Sequence, residues 1–192
     1  PRSTGIIAIE PREDDQLIDV ALTDGERDVM LFTAEGKAVR FNESEVRAMG
    51  RTAAGVRGIR LPEGGVVRSL VVVREGDVLL ATENGYGKRT PVDEFPRHRR
   101  GGQGVIAIQT RGRNGPLVSA VQVEDEDEIM LITDGGTLVR TPVADVSRLG
   151  RNTQGVMLIR LSGDEKLVEM ARIDRLEDDA QNESESQEEG SE

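Results

Sequence analysis

A stretch of 34 residues occurs three times in this chain of 192 residues, and the copies align without a gap. They run from residue 28 to 61, from 77 to 110 and from 128 to 161, so their starts lie 49 and 51 residues apart. A fixed period near 50 residues is typical of folds in which stacked or radially arranged units bury their apolar faces against their neighbours. The sequence therefore predicts a repeat architecture whose function lies in what the copies present together.

Each copy predicts a β-hairpin followed by a third strand. An unbroken apolar run opens each copy, as expected of a strand buried on both faces. A turn such as Asn84-Gly85 or Gly135-Gly136 follows, and glycine there tolerates the positive φ of a tight hairpin. The predicted first, second and third strands are residues 29–32, 37–41 and 56–61, then 78–81, 87–91 and 105–110, and finally 129–132, 137–141 and 156–161.

A fourth strand is predicted in the segments that link the copies, at 17–23, 66–73, 117–123 and 167–173. Because this strand begins eleven residues before the start of each copy, we assign it to the repeat that follows, which places the repeats near 17–61, 66–110 and 117–161. Four strands per unit of about 50 residues match a propeller-like blade. The predicted fold class is therefore all-β, with a β-sandwich as the alternative. The blades occupy residues 1–176, and residues 1–10 complete a preceding blade.

The last sixteen residues, 177–192, contain eight acids and no base. Such a segment buries too little apolar surface to offset the entropy of ordering, so it predicts a disordered acidic tail. The rest of the chain keeps 28 of the 36 acids against 25 bases, so most of the net charge of −11 belongs to the tail.

The composition disfavours several classes of function. The chain has no cysteine and only one histidine, His98, and no nucleophile elbow or P-loop occurs, so we expect no catalytic residue, no metal site and no small-molecule substrate. There is no signal peptide and no apolar run of about 18 residues, which predicts a soluble, cytoplasmic protein without a membrane partner. Because the chain begins at Pro1, and residues 3–9 match the end of a repeat, we expect a fragment of a longer protein.

The candidate binding residues recur in the loop before the third strand. One aligned column holds Arg51, Arg100 and Arg151, and another column holds a glycine in every copy. Arginine offers a planar fork that suits phosphate oxygens, whereas glycine lets the backbone approach a ligand and exposes its N–H donors. The loops are therefore predicted to bind phosphate groups.

Other basic residues extend this candidate set. Arg40, Arg89 and Arg140 form a second column at the end of the second strand, where they either bind phosphate or pair with an acid of the next blade. The middle copy is the most basic, because residues 95–123 contain no acid. The complete set predicted to bind nucleic acid is Arg40, Arg51, Arg89, Arg97, Arg99, Arg100, Gly101, Gly102, Gly104, Arg111, Arg113, Arg140, Arg148 and Arg151.

The expected ligand is duplex DNA. An arginine loop that recurs about every 50 residues suits a long, regularly charged polyanion. With three phenylalanines and one tyrosine, the chain lacks the stacking platforms on which single-strand binding relies. The composition therefore favours binding to the duplex backbone with little sequence reading. The alternative is a protein-interaction scaffold whose arginines bind acidic partners.

The loop of the middle copy resembles a motif of a known family. Its sequence HRRGGQG, at 98–104, resembles the box motif QRRGGKG of the C-terminal domain of the DNA gyrase A subunit, from which it departs at His98 and Gln103. The repeats around it extend the resemblance over residues 3–173. In the family the principal box lies in the first blade, so we expect it upstream of this interior copy. The related domain of topoisomerase IV is the alternative within the family.

The resemblance implies a β-pinwheel of six blades, of which this chain holds about three and a half, with duplex DNA wrapped around the rim. It implies a non-catalytic module that presents DNA for ATP-dependent negative supercoiling, in an A2B2 assembly with the gyrase B subunit, located at the bacterial nucleoid. ATP and Mg²⁺ are then needed by the holoenzyme, and this fragment binds no cofactor. The acidic tail is expected to compete with DNA for the basic rim and so to modulate wrapping, the alternative being a tail that only confers solubility.

Overall fold

The computed structural model describes residues 5–173, which form eleven β-strands, three short 3₁₀ turns and no α-helix. Residues 1–4 and the predicted acidic tail at 177–192 lie outside the described residues. Within that range no helix is long and apolar enough to cross a membrane. The strands are β1 (Asp28–Thr33), β2 (Lys37–Asn42), β3 (Val67–Val72), β4 (Asp77–Thr82), β5 (Tyr86–Pro91), β6 (Val105–Ile106), β7 (Leu117–Val123), β8 (Glu128–Thr133), β9 (Leu138–Pro142), β10 (Val156–Met157) and β11 (Leu167–Ile173).

The strands form three antiparallel sheets, each built on a hairpin. Blade 1 has the order β3-β1-β2-β6, blade 2 the order β10-β5-β4-β7, and blade 3 the order β11-β8-β9. The turn glycines have positive φ, for example 75° at Gly36 and 81° at Gly85. At Gly85 a Cβ would also lie only 2.5 Å from the carbonyl oxygen of Ile159, so the close approach of the next repeat requires glycine. The predicted all-β fold of propeller-like blades is confirmed.

The linking strands pair with the hairpin that precedes them, and the prediction that they belong to the following repeat was wrong. In blade 1, Leu70 of β3 lies opposite Leu31 of β1, and in blade 2, Val121 of β7 lies opposite Leu79 of β4. Residues 17–23 form no strand and are exposed. A constant spacing along the chain cannot show which neighbour a strand joins, because pairing depends on the edge to which the connecting loop returns it. No hairpin precedes 17–23 among the described residues.

The third strands are shorter than predicted, and each joins the preceding blade. Only β6 and β10 form, pairing with β2 and β5, while residues 56–61 form no strand. Pairing stops after Ile106 because the N–H groups of Ala107 and Ile108 both donate to the carbonyl of Gly36, which turns the chain over the hairpin. Gly104 has a φ of 70° and lies so close to Ala38 that a Cβ would meet its carbonyl oxygen at 2.4 Å. Consecutive blades are therefore interlocked by an exchanged strand.

The hydrophobic core lies between the blades. Leu80 of β4 packs in the cluster that contains Phe32 of β1, whereas its neighbour Leu79 packs in the cluster that contains Leu131 of β8. The ring of Phe32 meets that of Phe95, from the second repeat, edge to face at 6.1 Å. Because β4 is buried on both faces, its apolar run shows no polar alternation, as predicted.

Candidate nucleic-acid interface

The arginine and glycine loops of the second and third repeats lie across the preceding blade. His98 donates its backbone N–H to the carbonyl of Arg40 at 2.8 Å, and Leu149 does the same to Arg89 at 2.9 Å. The strand ends β2 and β5 therefore position the loops 98–104 and 149–155 in the same way.

The recurring arginine of each loop clamps it to the preceding repeat. In all three copies the guanidinium donates to the carbonyl at the same aligned position, one repeat earlier. The pairs are Arg51 with Ile7 (3.1 Å), Arg100 with Arg57 (3.1 Å) and Arg151 with Ile106 (2.7 Å). Arg100 also donates through Nε to the carbonyl of Glu45 at 3.0 Å. This column therefore shapes the loops, and its predicted contact with phosphate stays a prediction.

The loop glycines also serve the backbone. Gly101 has a φ of 79°, and its N–H donates to the carbonyl of Gly58 at 2.5 Å. The carbonyl of Gly102 accepts from the N–H of Arg60 at 2.8 Å. The expectation that loop glycines offer free N–H donors to a ligand therefore fails at Gly101, because the preceding repeat already uses its donor.

The second basic column forms structural ion pairs, one of the two roles considered from the sequence. Arg40 donates to Asp28 at 2.9 Å and to the carbonyl of Val92 at 3.0 Å. Arg89 pairs with Asp77 at 3.7 Å and with Asp125. The sequence predicted pairing with an acid of the next blade, but Asp28 and Asp77 belong to the arginine's own blade, and Arg89 has a further acid, Asp125, in the connection from β7 to β8. Blade 3 repeats the arrangement with the pair between Arg140 and Glu128.

The acids Asp28 and Asp77 each hold a second arginine, from the loop of the following repeat. Arg97 meets Asp28 at 2.6 Å, and Arg148 meets Asp77 at 2.9 Å. Burial alone would raise the pKa of Asp28, but hydrogen bonds from Arg97, Arg40 and Asn42 outweigh it and hold that pKa below its ordinary value. The carboxylate is buried, whereas the side chain of Arg97 is 60% exposed. Each acid thus links two repeats and leaves one arginine at the surface.

Two of the predicted arginines are exposed and have no partner for their guanidinium groups among residues 5–173. These are Arg99, in the box-like loop, and Arg111, after β6. Arg113 is different, because its guanidinium lies 4.7 Å from the centre of the Tyr86 ring and donates to the carbonyl of Gly155 at 3.0 Å. Arg99 and Arg111 are therefore the cations most available to a ligand in the acid-free segment 95–123.

One cation that supports a candidate loop, Lys88, was not singled out from the sequence. It is fully buried, and its ammonium donates to the carbonyls of Gly150 and, at 2.6 Å, Arg151. Burial lowers the pKa of Lys88 to about 8, against the opposing effect of Glu94. The sequence did contain a signal for it, because Lys88 is a charged residue at an aligned position where the other two copies have Val39 and Val139.

No metal site is assembled in the part of the chain that the structure describes. No group of three His, Cys, Asp or Glu side chains there could hold a metal ion. What the loops do present is cationic side chains on a repeated, hydrogen-bonded backbone frame.

Comparison with known proteins agrees with this geometry. The family model for the DNA gyrase C-terminal domain, beta-propeller, matches residues 27–74, 76–124 and 127–174, each of which contains one hairpin and the linking strand that pairs with it. The chain is 57% identical over 180 residues to the DNA gyrase A subunit of Salmonella typhimurium and 58% identical over 173 residues to that of Escherichia coli. These matches cover 93% and 90% of the chain but 20% of each relative, so the chain spans about a fifth of their length.

Solved structures show the same architecture. A structure of the DNA gyrase A C-terminal domain superimposes with a TM-score of 0.83 at 27% identity, over 89% of this chain and 59% of that one. The C-terminal domain of DNA topoisomerase IV gives 0.82 at 28% identity, over 87% and 53%. With three blades that match the family model and relatives above half identity, this chain belongs to the family of DNA gyrase A C-terminal domains.

Proposed function

We propose that this chain binds and wraps duplex DNA as a non-catalytic module of the gyrase A polypeptide. The observation that supports this is the placement of charge: Arg99 and Arg111 are exposed and unpaired, within residues 5–173, in a segment without acids, and Arg99 lies on a loop whose backbone anchor recurs in the next repeat. Cations spaced along a rigid surface gain affinity by releasing counterions from the DNA backbone, and this gain does not depend on sequence.

The interlocked blades supply the rigidity that wrapping needs. Bending 20 to 30 base pairs through 40 to 90° costs on the order of 1 to 6 kcal/mol, which contacts on several blades must offset. The exchanged strands β6 and β10, together with the arginines clamped to neighbouring repeats, keep these contacts at fixed separations. A flexible scaffold would lose part of the contact energy to ordering.

A binding experiment tests the first half of the proposal. The chain is titrated with linear duplex DNA at several salt concentrations, and the logarithm of affinity is expected to fall linearly with that of salt. The double variant Arg99→Gln with Arg111→Gln is expected to lower the slope by about 2, since each phosphate contact contributes about 0.9. The charge-matched control changes Arg68 and Arg74, which line a separate cavity between β3, β7 and β11, to glutamine.

Two outcomes would contradict DNA binding as the function. One is an affinity for duplex DNA that does not change with salt. The other is equal binding to polyglutamate of the same charge, which would favour the scaffold for acidic partners considered from the sequence.

Wrapping is tested separately from binding. Nicked circular DNA is ligated in the presence of the chain, and the products are separated by linking number. Wrapped DNA traps a change in linking number that grows with the amount of bound protein, whereas straight binding leaves the distribution unchanged. The second result, with affinity intact, would restrict the function to binding.

The wider assembly forms part of the same proposal. In it, the chain serves a parent A2B2 enzyme with the gyrase B subunit in the bacterial cytoplasm, and ATP and Mg²⁺ act elsewhere in that enzyme. Supercoiling by the assembled enzyme, with and without residues 28–173, tests this role.

The acidic residues 177–192 are proposed to compete with DNA, so their replacement by a glycine-serine tail of equal length should tighten binding at low salt. Unchanged affinity would leave the tail a solubilising role.

A further inference from the structure

A pocket of about 330 Å³ lies beside the hairpin turn of blade 1. Its walls come from the hairpin, from the loop after residue 59, and from the box-like loop of the next repeat. The lining residues are Thr33, Glu35, Lys37, Arg60, Leu61, Pro62 and Gln103. Two cations and one acid face it, so its lining carries a net charge of +1. The side chains of Lys37, Arg60 and Gln103 are exposed and form no hydrogen bond or ion pair within residues 5–173.

In blade 2, the residues that align with the lining of this pocket contact a loop of the same chain. Arg113 lies over Tyr86, the counterpart of Lys37, at 4.7 Å from the ring centre. Asn84, the counterpart of Glu35, donates to the carbonyl of Arg113 at 2.8 Å, and Gln154, the counterpart of Gln103, donates to that of Arg111 at 3.0 Å. The side chains around this turn thus have their partners within the chain.

The difference arises from the connection between the third and fourth strands. In blade 2 the segment 109–116 reads QTRGRNGP and brings Arg113 and Asn114 against the turn, where the amide of Asn114 donates to the carbonyls of Gln109 (2.6 Å) and Gln154 (2.7 Å). In blade 1 the segment 60–66 reads RLPEGGV, is one residue shorter and carries no such side chains past Arg60. The pocket of blade 1 is the space that the longer loop fills in blade 2.

Thr33, which also lines the pocket, differs from its counterpart in blade 2 in the same way. The hydroxyl of Thr33 is buried without a hydrogen-bond partner in the described part of the chain, whereas the equivalent hydroxyl of Thr82 donates to the carbonyl of Tyr86 at 2.9 Å. Blade 2 therefore closes this position with its own Arg113. Blade 1 leaves the position open and lines it with Lys37 and Arg60, which are unpaired within residues 5–173.

We infer that this pocket binds one phosphate group of the DNA backbone, held by Lys37 and Arg60 with the amide of Gln103 beside them. The inference rests on the proposed function and adds a contact that lies outside the recurring arginine columns. A phosphate carries negative charge and several acceptor oxygens, which suits an ammonium, a guanidinium and an amide N–H around one opening. Glu35 opposes the anion and so limits the affinity of the site.

The test compares salt dependence in two charge-matched variants. Lys37→Gln with Arg60→Gln is expected to weaken duplex binding by about five- to tenfold near 0.1 M salt and to lower the salt slope by about 1, the value for a lost phosphate contact. The control is Arg68→Gln with Arg74→Gln, which removes two cations from the separate cavity between β3, β7 and β11. An equal loss in both variants would overturn the inference, because the effect would then follow net charge alone.

Two further measurements separate this inference from the proposed function. Glu35→Gln removes the opposing carboxylate and is expected to tighten duplex binding, while an unchanged or weaker affinity would contradict the site. Titration with inorganic phosphate shows whether the pocket binds a free anion instead. If phosphate binds at Gln103 while the Lys37/Arg60 variant keeps the duplex salt slope of the unmodified chain, the contact with DNA is overturned. If the unmodified chain binds no DNA, the proposed function and the inference both fail. If it binds with a steep salt dependence that the variant retains, only the inference fails.

Discussion

The loops 98–104 and 149–155 have the same backbone anchors, but the first carries a cation on its outer side and the second lies over a cation of the strand beneath it. In the first loop Arg99 points charge to the exterior, and beneath the loop lies Val39, which is buried. In the second loop the counterpart of Arg99 is Gly150, and beneath it lies the buried ammonium of Lys88. One loop therefore offers a cation to a ligand, whereas the other uses a cation to hold its own carbonyls.

This difference shows that basic residues in a repeat do not all contribute to a basic surface. A buried lysine with carbonyl partners stabilises a loop, but it cannot contact a polyanion outside. The common frame beneath both loops is the shared acid, Asp28 or Asp77, with its two arginines. Changes to the frame should affect both loops alike, whereas changes to Arg99 or Lys88 should affect one.

The largest effect is expected from removing the shared acid. Asp28→Asn and Asp77→Asn should each lower the free energy of unfolding by about 3 kcal/mol, because each leaves two arginines beside a buried neutral group. The control Glu128→Gln, in the more exposed pair of blade 3, should cost less than about 1 kcal/mol. Chemical denaturation measures all three, and a cost at Glu128 equal to that at Asp28 would contradict the shared-acid frame.

Lys88 should also make the stability of the chain depend on pH. The folded state releases this proton near pH 8, whereas an unfolded lysine keeps it to about 10.5, so the unfolded state binds more protons between these values. Stability should therefore rise with pH in that window, by up to about 1.4 kcal/mol per pH unit from this residue. Denaturation between pH 8 and 10 measures the slope, and Lys88→Val, which copies the other two blades, should abolish this contribution. An identical slope in the variant would show that Lys88 does not titrate there.

A more local effect is expected from Lys88→Val at pH 7. The carbonyls of Gly150 and Arg151 lose their donor, which costs about 1 to 2 kcal/mol and should speed amide hydrogen exchange in 149–155 by about tenfold or more. The loop 98–104 is the internal control, since its position 39 is already valine. Equal acceleration in both loops would mean that the substitution loosens the whole domain instead.

The smallest effect is expected from exchanging the outward charge between the loops. Gly150→Arg should raise duplex affinity, and Arg99→Gly should lower it, each by about fivefold with a change of about 1 in the salt slope. Gly150 suits this test because a Cβ there would come no closer than 3.5 Å to Glu94. The double variant should restore the original slope. A gain at position 150 without a loss at position 99 would show that the second loop faces DNA more directly than the first.

Several features of the fold followed from short-range patterns in the sequence. The apolar runs, the hairpin glycines and strands such as 117–123 and 167–173 depend on local periodicity and turn conformation, so they were predictable from the residues themselves. The pairing of the linking strands and the exchange of β6 and β10 were not, because they depend on which distant edge each strand meets. The same limit applied to the site: an arginine column indicates a recurring geometry within the repeat, but not whether its fork faces a phosphate or a neighbouring carbonyl.

By itself, the sequence determined that this protein is an all-β repeat with arginine-rich loops at a fixed period, since strand periodicity, turn chemistry and repetition are all encoded locally. Only the tertiary structure decided which arginines remain available to a ligand. Arg40, Arg89 and Arg100 are drawn to acids and carbonyls of their own and neighbouring repeats, while Arg99 is left exposed. The physical reason is that a guanidinium is satisfied by whichever acceptors the packing of the blades brings within reach, and several of these, such as the carbonyls of Val92 for Arg40 and Val146 for Arg89, lie more than 50 residues away in the chain.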